Sequence, residues 1–556
     1  MDSDSGTAVT SNEVVRRRPR TYDKRPNLPD ITLTALTETG REELTIPVLK
    51  QRSYTGNKRV ISSALADTRC AALGVEGVVK RLNAILGTSY SLGSEVVRSI
   101  FEPYIERNDD FGTVYSHLRN FWGRSDMEEA LGAAKEKERW IQKRMLANGR
   151  IETQTVPPRR VWDLCANRVV SYWIAGMAAD DLVGISHAWV DENDRVDVMT
   201  PINGKEWPVP MPKDANLDLI RIEMLNHGEQ ITWLDVLCLR QEGGKGEHLR
   251  LEEWKLDVPT IGFVYTGYTP VVCYFNGLGR PLHLTPGYFE SDRCWFRRAW
   301  TLQEIVHDPI IGGETGNDVA DDENRKKFVE QLARLQQIQH PRVILELASE
   351  MQNRVSSKPL DKVAGLAYLL NLRHIPIYDE TISDVDAWEV LMDAMDPDCL
   401  TEVFFDFPEP GNGRKYWRPS WQQVMTTKPG WTSSMPWRGC IEYGDTDQDL
   451  YEGYFIDSVN VRGLDKGLEE EMPRQGEMVF KTSTGISHTF KISAYHVYPL
   501  PDGSYAVAAD DIPGPYVVGW LRENREFEKL SVFRLADDEQ IDGRELRLKE
   551  RKISLC

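Results

Sequence analysis

Ile231-Thr232-Trp233-Leu234-Asp235-Val236-Leu237-Cys238-Leu239-Arg240-Gln241 decides how the middle of this chain is read. It is a β-branched and apolar run with one acid inside it, closed by an arginine and a glutamine. A short, continuous apolar run is the mark of a strand buried on both faces, the situation in a parallel sheet. Leu182-Val183-Gly184-Ile185-Ser186-His187-Ala188-Trp189 has the same texture. Pro270 to Phe275 reads as a third strand and Pro309 to Ile311 as a fourth. Helical patterns lie between them. Asp214 can cap a helix that carries Leu217, Ile220 and Met224 on one face and stops at Gly228. Leu249 to Tyr265 is a second helix, kinked or divided at Pro259. Arg293 to Val306 is a third. The alternation predicts an α/β fold: a parallel sheet with helices on both faces. Ligands of such sheets bind at the carboxyl ends of the strands, where Ser186 to Trp189 and Cys238 to Gln241 fall.

The third helix holds the densest chemistry. Cys294-Trp295-Phe296-Arg297-Arg298-Ala299-Trp300-Thr301-Leu302-Gln303-Glu304-Ile305 packs two tryptophans, two arginines and a glutamate together. At helical spacing Arg297, Trp300 and Glu304 share one face. An acid, a cation and an indole on one face suit a polar ligand with an aromatic ring. They equally suit a core helix whose Arg and Glu pair at its edge.

Three motifs in this order resemble the fungal heterokaryon incompatibility (HET) domain. They are Ser186 with Trp189; Trp233, Asp235, Cys238 and Gln241; and Arg298, Trp300, Gln303 and Glu304. Asp361-Lys362-Val363 resembles a further helix of that family, so the likeness spans roughly residues 160 to 370. Val190 stands where the family often has glycine, and Arg240 where it has asparagine. The HET domain in turn resembles the TIR domain, many of whose members cleave NAD. That second resemblance implies a TIR/flavodoxin-like core and casts Glu304 as the catalytic carboxylate. It leaves Ser186, His187, Trp189, Asp235, Arg298 and Trp300 to bind substrate. A carboxylate beside the ribose would stabilise the oxocarbenium-like centre formed as nicotinamide leaves. An indole of Trp189 or Trp300 would stack on a ring, and Arg298 would meet the pyrophosphate. NAD or NADP would be a substrate; no cofactor is expected, and no metal. The implied function is non-self recognition or regulated cell death, with self-association as the switch. A non-enzymatic signalling module is the alternative, with Trp300 and Glu304 structural.

The residues alone leave other roles open. One of them makes Glu304 only the partner of Arg297 or Arg298. Asp235, inside an apolar run, is either a hydrogen-bonded structural acid or part of a site. His187 reads as a satisfied loop histidine or a base. Cys238 has no His or Asp partner in sequence that would make it a nucleophile. Ser186 lacks the Gly-x-Ser-x-Gly elbow of a hydrolase.

At 556 residues the chain is long enough for several domains. The net charge of -19 disfavours a nucleic-acid binder, which needs a basic surface. The most apolar window, Val258 to Phe275, is broken by Pro259, Gly262, Gly267 and Pro270, so no membrane span is expected. The N-terminus has no apolar signal core. The eight cysteines are scattered without zinc spacing, as expected of reduced, mostly buried thiols in a cytoplasmic protein.

Four parts are expected. Residues 1–30 form a polar tail with Arg16, Arg17, Arg18 and Arg20, read as disordered. Residues 31–155 form a helical annex, with a capping box at Ser125-Asp126-Met127-Glu128 and a stop at Asn148-Gly149. Residues 156–375 carry the α/β domain. Residues 376–556 are β-rich. There Ile492 to Tyr498 and Tyr505 to Ala508 are joined as a hairpin by Pro501-Asp502-Gly503-Ser504. Trp417, Trp421, Trp431 and Trp437 of this last part suit either core packing or an interaction surface, and the flanking parts could hold a protein partner.

Overall fold

The apolar runs become strands. A computed structural model describes residues 30–56, 59–91, 95–147, 149–176, 182–265, 270–304, 309–316, 322–338, 343–370, 372–413, 415–427, 439–444, 448–466, 473–481, 485–509, 515–536 and 549–556. The N-terminal basic cluster, Asn148, Trp431 and Trp437 lie outside the described residues. The central sheet contains β1 (Arg160–Asp163), β2 (Arg168–Ser171), β3 (Val183–His187), β4 (Ile231–Leu234), β5 (Val272–Tyr274) and β6 (Ile310–Ile311). Their order across the sheet is β6-β5-β3-β4-β1-β2. The four strands β3 to β6 pair in parallel, and β1 and β2 add an antiparallel edge. The fold is α/β with a mixed sheet.

β3 lies in the middle. Thr232 faces Val183 on one side and Tyr274 faces His187 on the other. The chain therefore leaves β3 toward β4, then crosses back to β5 on the opposite side. That reversal opens a crevice at the carboxyl end of β3. Helices α1 (Leu217–Asn226), α2 (Asp235–Cys238), α3 (Glu247–Asp257) and α4 (Gly262–Tyr265) lie between β3 and β5 in sequence. α4 sits hard against β3: a Cβ on Gly184 would come within 2.7 Å of the Tyr265 ring. The missing side chain lets the Tyr265 hydroxyl reach the Ile185 carbonyl at 3.2 Å.

Several expectations change. The run that begins at Ile231, expected to stay a strand up to the Cys238 to Gln241 end, is a strand only to Leu234. Asp235 Oδ1 accepts from the Val236 N–H at 2.7 Å, and the Leu239 N–H returns to the Asp235 carbonyl, so the chain turns into α2. α1 is capped by Asn216, whose Oδ1 accepts from Asp218 and Leu219. Asp214 instead pairs with Arg280 at 2.7 Å. The second helix is divided around Pro259, as expected, into α3 and α4. Ser125 forms no capping box: the helix Met127–Met145 has Asp126 as N-cap with no side-chain cap bond, and Asp126 is taken by Arg124.

Arg293 to Val306 is not a helix as far as it is described, to Glu304. It consists of two single 3-10 turns, Trp295–Arg297 and Trp300–Leu302. Its backbone groups are bound elsewhere. The Ala299 N–H donates to the Val355 carbonyl, and the Val355 N–H to the Arg297 carbonyl. Arg354 donates to the Arg298 carbonyl at 2.6 Å. Thr301 Oγ1 caps the Trp295 and Arg298 carbonyls. These partners replace the i to i−4 ladder that a helix needs.

The N-terminal part is mixed rather than wholly helical. Ile31–Thr34 pairs antiparallel with Ser53–Gly56, ahead of helices that include Cys70–Leu86 and Phe111–Leu118. It is joined to the sheet through buried polar groups. Glu223 of α1 accepts from Gln51, from the Tyr274 hydroxyl and from the Gly313 N–H, each at 2.8 Å. Fully buried Arg221 donates to the Ile61 and Leu164 carbonyls. One hydrophobic core runs from Leu33 through the sheet to Leu555.

The C-terminal part begins with helices Asp384–Ala394, Pro397–Asp406 and Trp421–Thr426 before its strands. Strands 449–462, 474–481, 487–494, 526–535, 515–521 and 503–509 then pair in a closed antiparallel ring. Closure removes the exposed edges of a sheet. A second core, including Met478, Ile492, Val507 and Phe533, fills this small barrel. The expected hairpin is not formed: Ser487–Ala494 pairs with 474–481 and 526–535, and Gly503–Ala509 pairs elsewhere. Buried Arg474 holds the His496 and Tyr498 carbonyls, and Leu500 N–H bonds the Leu464 carbonyl. Those bonds draw the connection across the barrel. Trp417 and Trp421 are buried in the first core, the packing role rather than a surface one.

Candidate functional site

The crevice at the carboxyl end of β3 is a cleft of about 390 Å³, within the range of small-molecule sites. His187, Trp189, Asp235, Arg298, Trp300 and Glu304 line it. Six of the seven residues expected at a site thus share one cleft. The seventh, Ser186, lies behind the cleft and is 1% exposed.

The last two residues of β3 serve two separate pairs. Ser186 Oγ donates to Glu304 Oε2 at 2.5 Å and accepts from the Trp295 indole N–H at 2.7 Å. His187 Nε2 lies 2.9 Å from Asp235 Oδ1, and its Nδ1 lies 3.3 Å from the Ala188 carbonyl. Asp235 is held for this contact by the turn that ends β4, so it is both hydrogen-bonded and open to the cleft.

Glu304 is half-buried. Burial pushes its carboxyl up to about 7, reinforced by Asp235 and opposed by Ser186, His187 and Arg354. A carboxyl poised there can exchange a proton at neutral pH. Burial alone would lower the His187 pKa. The charge and hydrogen bond of Asp235, with Glu304 beyond, overcome it and raise the imidazole above its ordinary value. Neither arginine pairs with Glu304. Arg297 turns to Asp292 at 3.1 Å, and the Arg298 guanidinium forms no hydrogen bond or ion pair among the described residues. Burial lowers the pKa of Arg298. An unpaired guanidinium on the wall of a cleft is a ready hydrogen-bond donor to an anion.

Aromatic faces supply the rest of the wall. Trp189 lies over His187 with ring centres 5.7 Å apart. Trp300 and Trp254 stand 6.4 and 6.1 Å from the Tyr378 ring. Trp254, Tyr378, Lys358, Asp361 and Arg195 were not expected at the site. Trp254 comes from α3 and Tyr378 from beyond helix α5 (Leu360–Ala367), and no local pattern ties either to the strands. Asp361 sits in the fourth motif and accepts from the Tyr378 hydroxyl at 2.7 Å. Lys358 is held by Glu380. Gln241 lines the cleft and donates to the Leu239 carbonyl at 3.0 Å.

Cys238 is 1% exposed, and burial pushes its thiol up to about 12, so it is no nucleophile. None of the eight cysteines is in a disulfide, and six of them are buried. Among the described residues no helix is long and apolar enough to cross a membrane. Comparison of the chain with protein families, with curated proteins and with solved structures finds no match.

Proposed function

We propose that the chain is a HET-domain protein of fungal non-self recognition or regulated cell death, and that its central cleft cleaves NAD or NADP at the nicotinamide–ribose bond. The observation that carries the reading is the Glu304 carboxyl. It stands in a cleft with aromatic walls and an unpaired arginine, beside the His187–Asp235 pair. The order of the parallel strands, with the first between the second and third, is the order of flavodoxin-like folds, and it suits a TIR-like core.

The chemistry follows from the charges. The nicotinamide–ribose C–N bond breaks, and its electron pair leaves with neutral nicotinamide. The ribose carbon becomes an oxocarbenium-like centre, which ionised Glu304 stabilises. Water adds to that carbon and gives its proton to Glu304 or to solvent, leaving ADP-ribose from NAD or its 2′-phosphate from NADP. Trp189 or Trp300 stacks on a ring, and Arg298 meets the pyrophosphate.

The test is nicotinamide release by the purified protein at several protein concentrations, since self-association belongs to this reading. Glu304→Gln keeps the shape and removes the charge, so it should abolish release in a folded protein. A folded Glu304→Gln protein that still triggers cell death at the wild-type level would overturn the enzyme reading. The non-enzymatic signalling module would then replace it.

A further inference from the structure

Ser186 bridges Glu304 and a buried indole that has no evident reason to be polar there. Trp295 is completely buried and packs its ring against Phe275 and Phe296, with centres 5.1 and 5.3 Å away. Phenylalanine would fill most of that space. The indole N–H nevertheless reaches Ser186 Oγ at 2.7 Å.

The direction of this bond is settled by chemistry. An indole N–H only donates, so Ser186 Oγ must accept from it. The single Ser186 proton is then left for Glu304 Oε2, 2.5 Å away. Oε2 is thereby an acceptor in either charge state of the carboxyl. Oε1 forms no hydrogen bond among the described residues, and Glu304 lines the cleft. When Glu304 is neutral its proton therefore rests on Oε1, toward the cleft.

We infer that Trp295 is a positioning residue for Glu304, acting through Ser186: its N–H fixes the serine hydroxyl so that one carboxyl oxygen is held and the other is presented to substrate. The inference rests on the reading of Glu304 as the working carboxyl of the site. His187, Asp235, Arg298, Arg354, Tyr265 and Cys273 also feel the charge of Glu304. Of these residues Cys273 also has a side-chain hydrogen bond to Ser186, but a thiol is a weak donor and acceptor beside the indole N–H and the carboxyl. The bond from Ser186 favours the ionised carboxylate. Freeing the hydroxyl should raise the pH at which Glu304 ionises.

The experiment follows the Glu304 carboxyl by infrared difference titration, with Glu304→Gln as the subtraction. Trp295→Phe should move the midpoint up by roughly half a pH unit or more, and Ser186→Ala should move it at least as far. In the Ser186→Ala background Trp295→Phe should add nothing, because the two act in series. A folded Trp295→Phe protein with an unmoved midpoint would overturn the inference. So would an equal shift in both backgrounds. If Trp295→Phe does not fold, the indole N–H resonance of Trp295 decides. It should follow the Glu304 titration in wild type and lose that response in Ser186→Ala; a resonance blind to the titration overturns the inference. These readouts need no turnover, so a protein that releases no nicotinamide fails the enzyme reading alone.

Discussion

His187 Nε2 and Asp235 Oδ1 lie 2.9 Å apart across the carboxyl ends of two adjacent parallel strands. The pair makes stability depend on pH in one direction. His187 ionises at a higher pH folded than unfolded because Asp235 holds its cation. The stabilisation is complete below the ordinary imidazole pKa, falls as the unfolded chain loses its proton, and is lost above the raised folded value. Asp235→Asn keeps an oxygen for the Val236 N–H and removes the charge. Urea unfolding should show a cost of about 1–3 kcal/mol on the acid side of that window, shrinking as pH rises through it. A cost that does not change with pH would show that His187 is neutral throughout.

Glu304 runs the same way, in a lower pH window. Its carboxyl ionises at about 7 instead of 4.5, chiefly through burial. Between those values the folded state holds a proton that the unfolded chain has lost, so stability falls as pH rises. The shift corresponds to on the order of 3 kcal/mol. Glu304→Gln should therefore be more stable than wild type at pH about 8 and nearly equal at pH about 4. Nicotinamide release by wild type should rise with pH through about 7, as the carboxylate forms. Activity that falls over this range would assign the neutral acid, not the anion, to the reaction.

The parallel strands could be read from sequence because strands buried on both faces are almost wholly apolar, as Val183 to Ile185 and Ile231 to Leu234 are, Thr232 alone being polar. The cleft followed from them, since the residues just beyond strand ends must gather there. The 294–304 segment could not be read the same way. Its helical spacing is real, but its backbone is bound by Arg354 and Val355, and periodicity cannot see a distant partner. The role of Ser186 was hidden for a similar reason: that its hydroxyl faces an indole rather than the cleft depends on where Trp295 packs. Trp254 and Tyr378 reach the cleft only by tertiary packing. The barrel connection was misread because a turn motif says nothing of buried Arg474, which claims the carbonyls on either side of Val497.

Gly184 allows α4 to lie against β3. A Cβ there would meet Tyr265 at 2.7 Å and Val264 at 3.0 Å. Gly184→Ala should destabilise the protein by about 1–3 kcal/mol through overpacking. It should also disturb the cleft, because Tyr265 lines it and bonds the Ile185 carbonyl next to Ser186. Thermal unfolding and ligand binding measured together check this; an unchanged midpoint would mean that α4 shifts freely.

Arg298 separates ligand classes. Among the charged groups on the cleft wall, Lys358 is held by Glu380 and Arg195 lies 4.0 Å from Asp197. Arg298 has no such partner among the described residues. A ligand with a pyrophosphate should use it, and a ligand without phosphate should not. Arg298→Gln should weaken ADP-ribose binding by about one to two orders of magnitude, the worth of a charge-assisted hydrogen bond. Nicotinamide riboside should bind as to wild type. Arg298→Lys should recover only part of the loss, since a point charge replaces a planar fork. Calorimetry on the intact chain measures all three without requiring turnover. If both ligands weaken equally, Arg298 shapes the wall and does not read the phosphates. If neither weakens, the phosphates lie elsewhere and Arg298 has no part in the site.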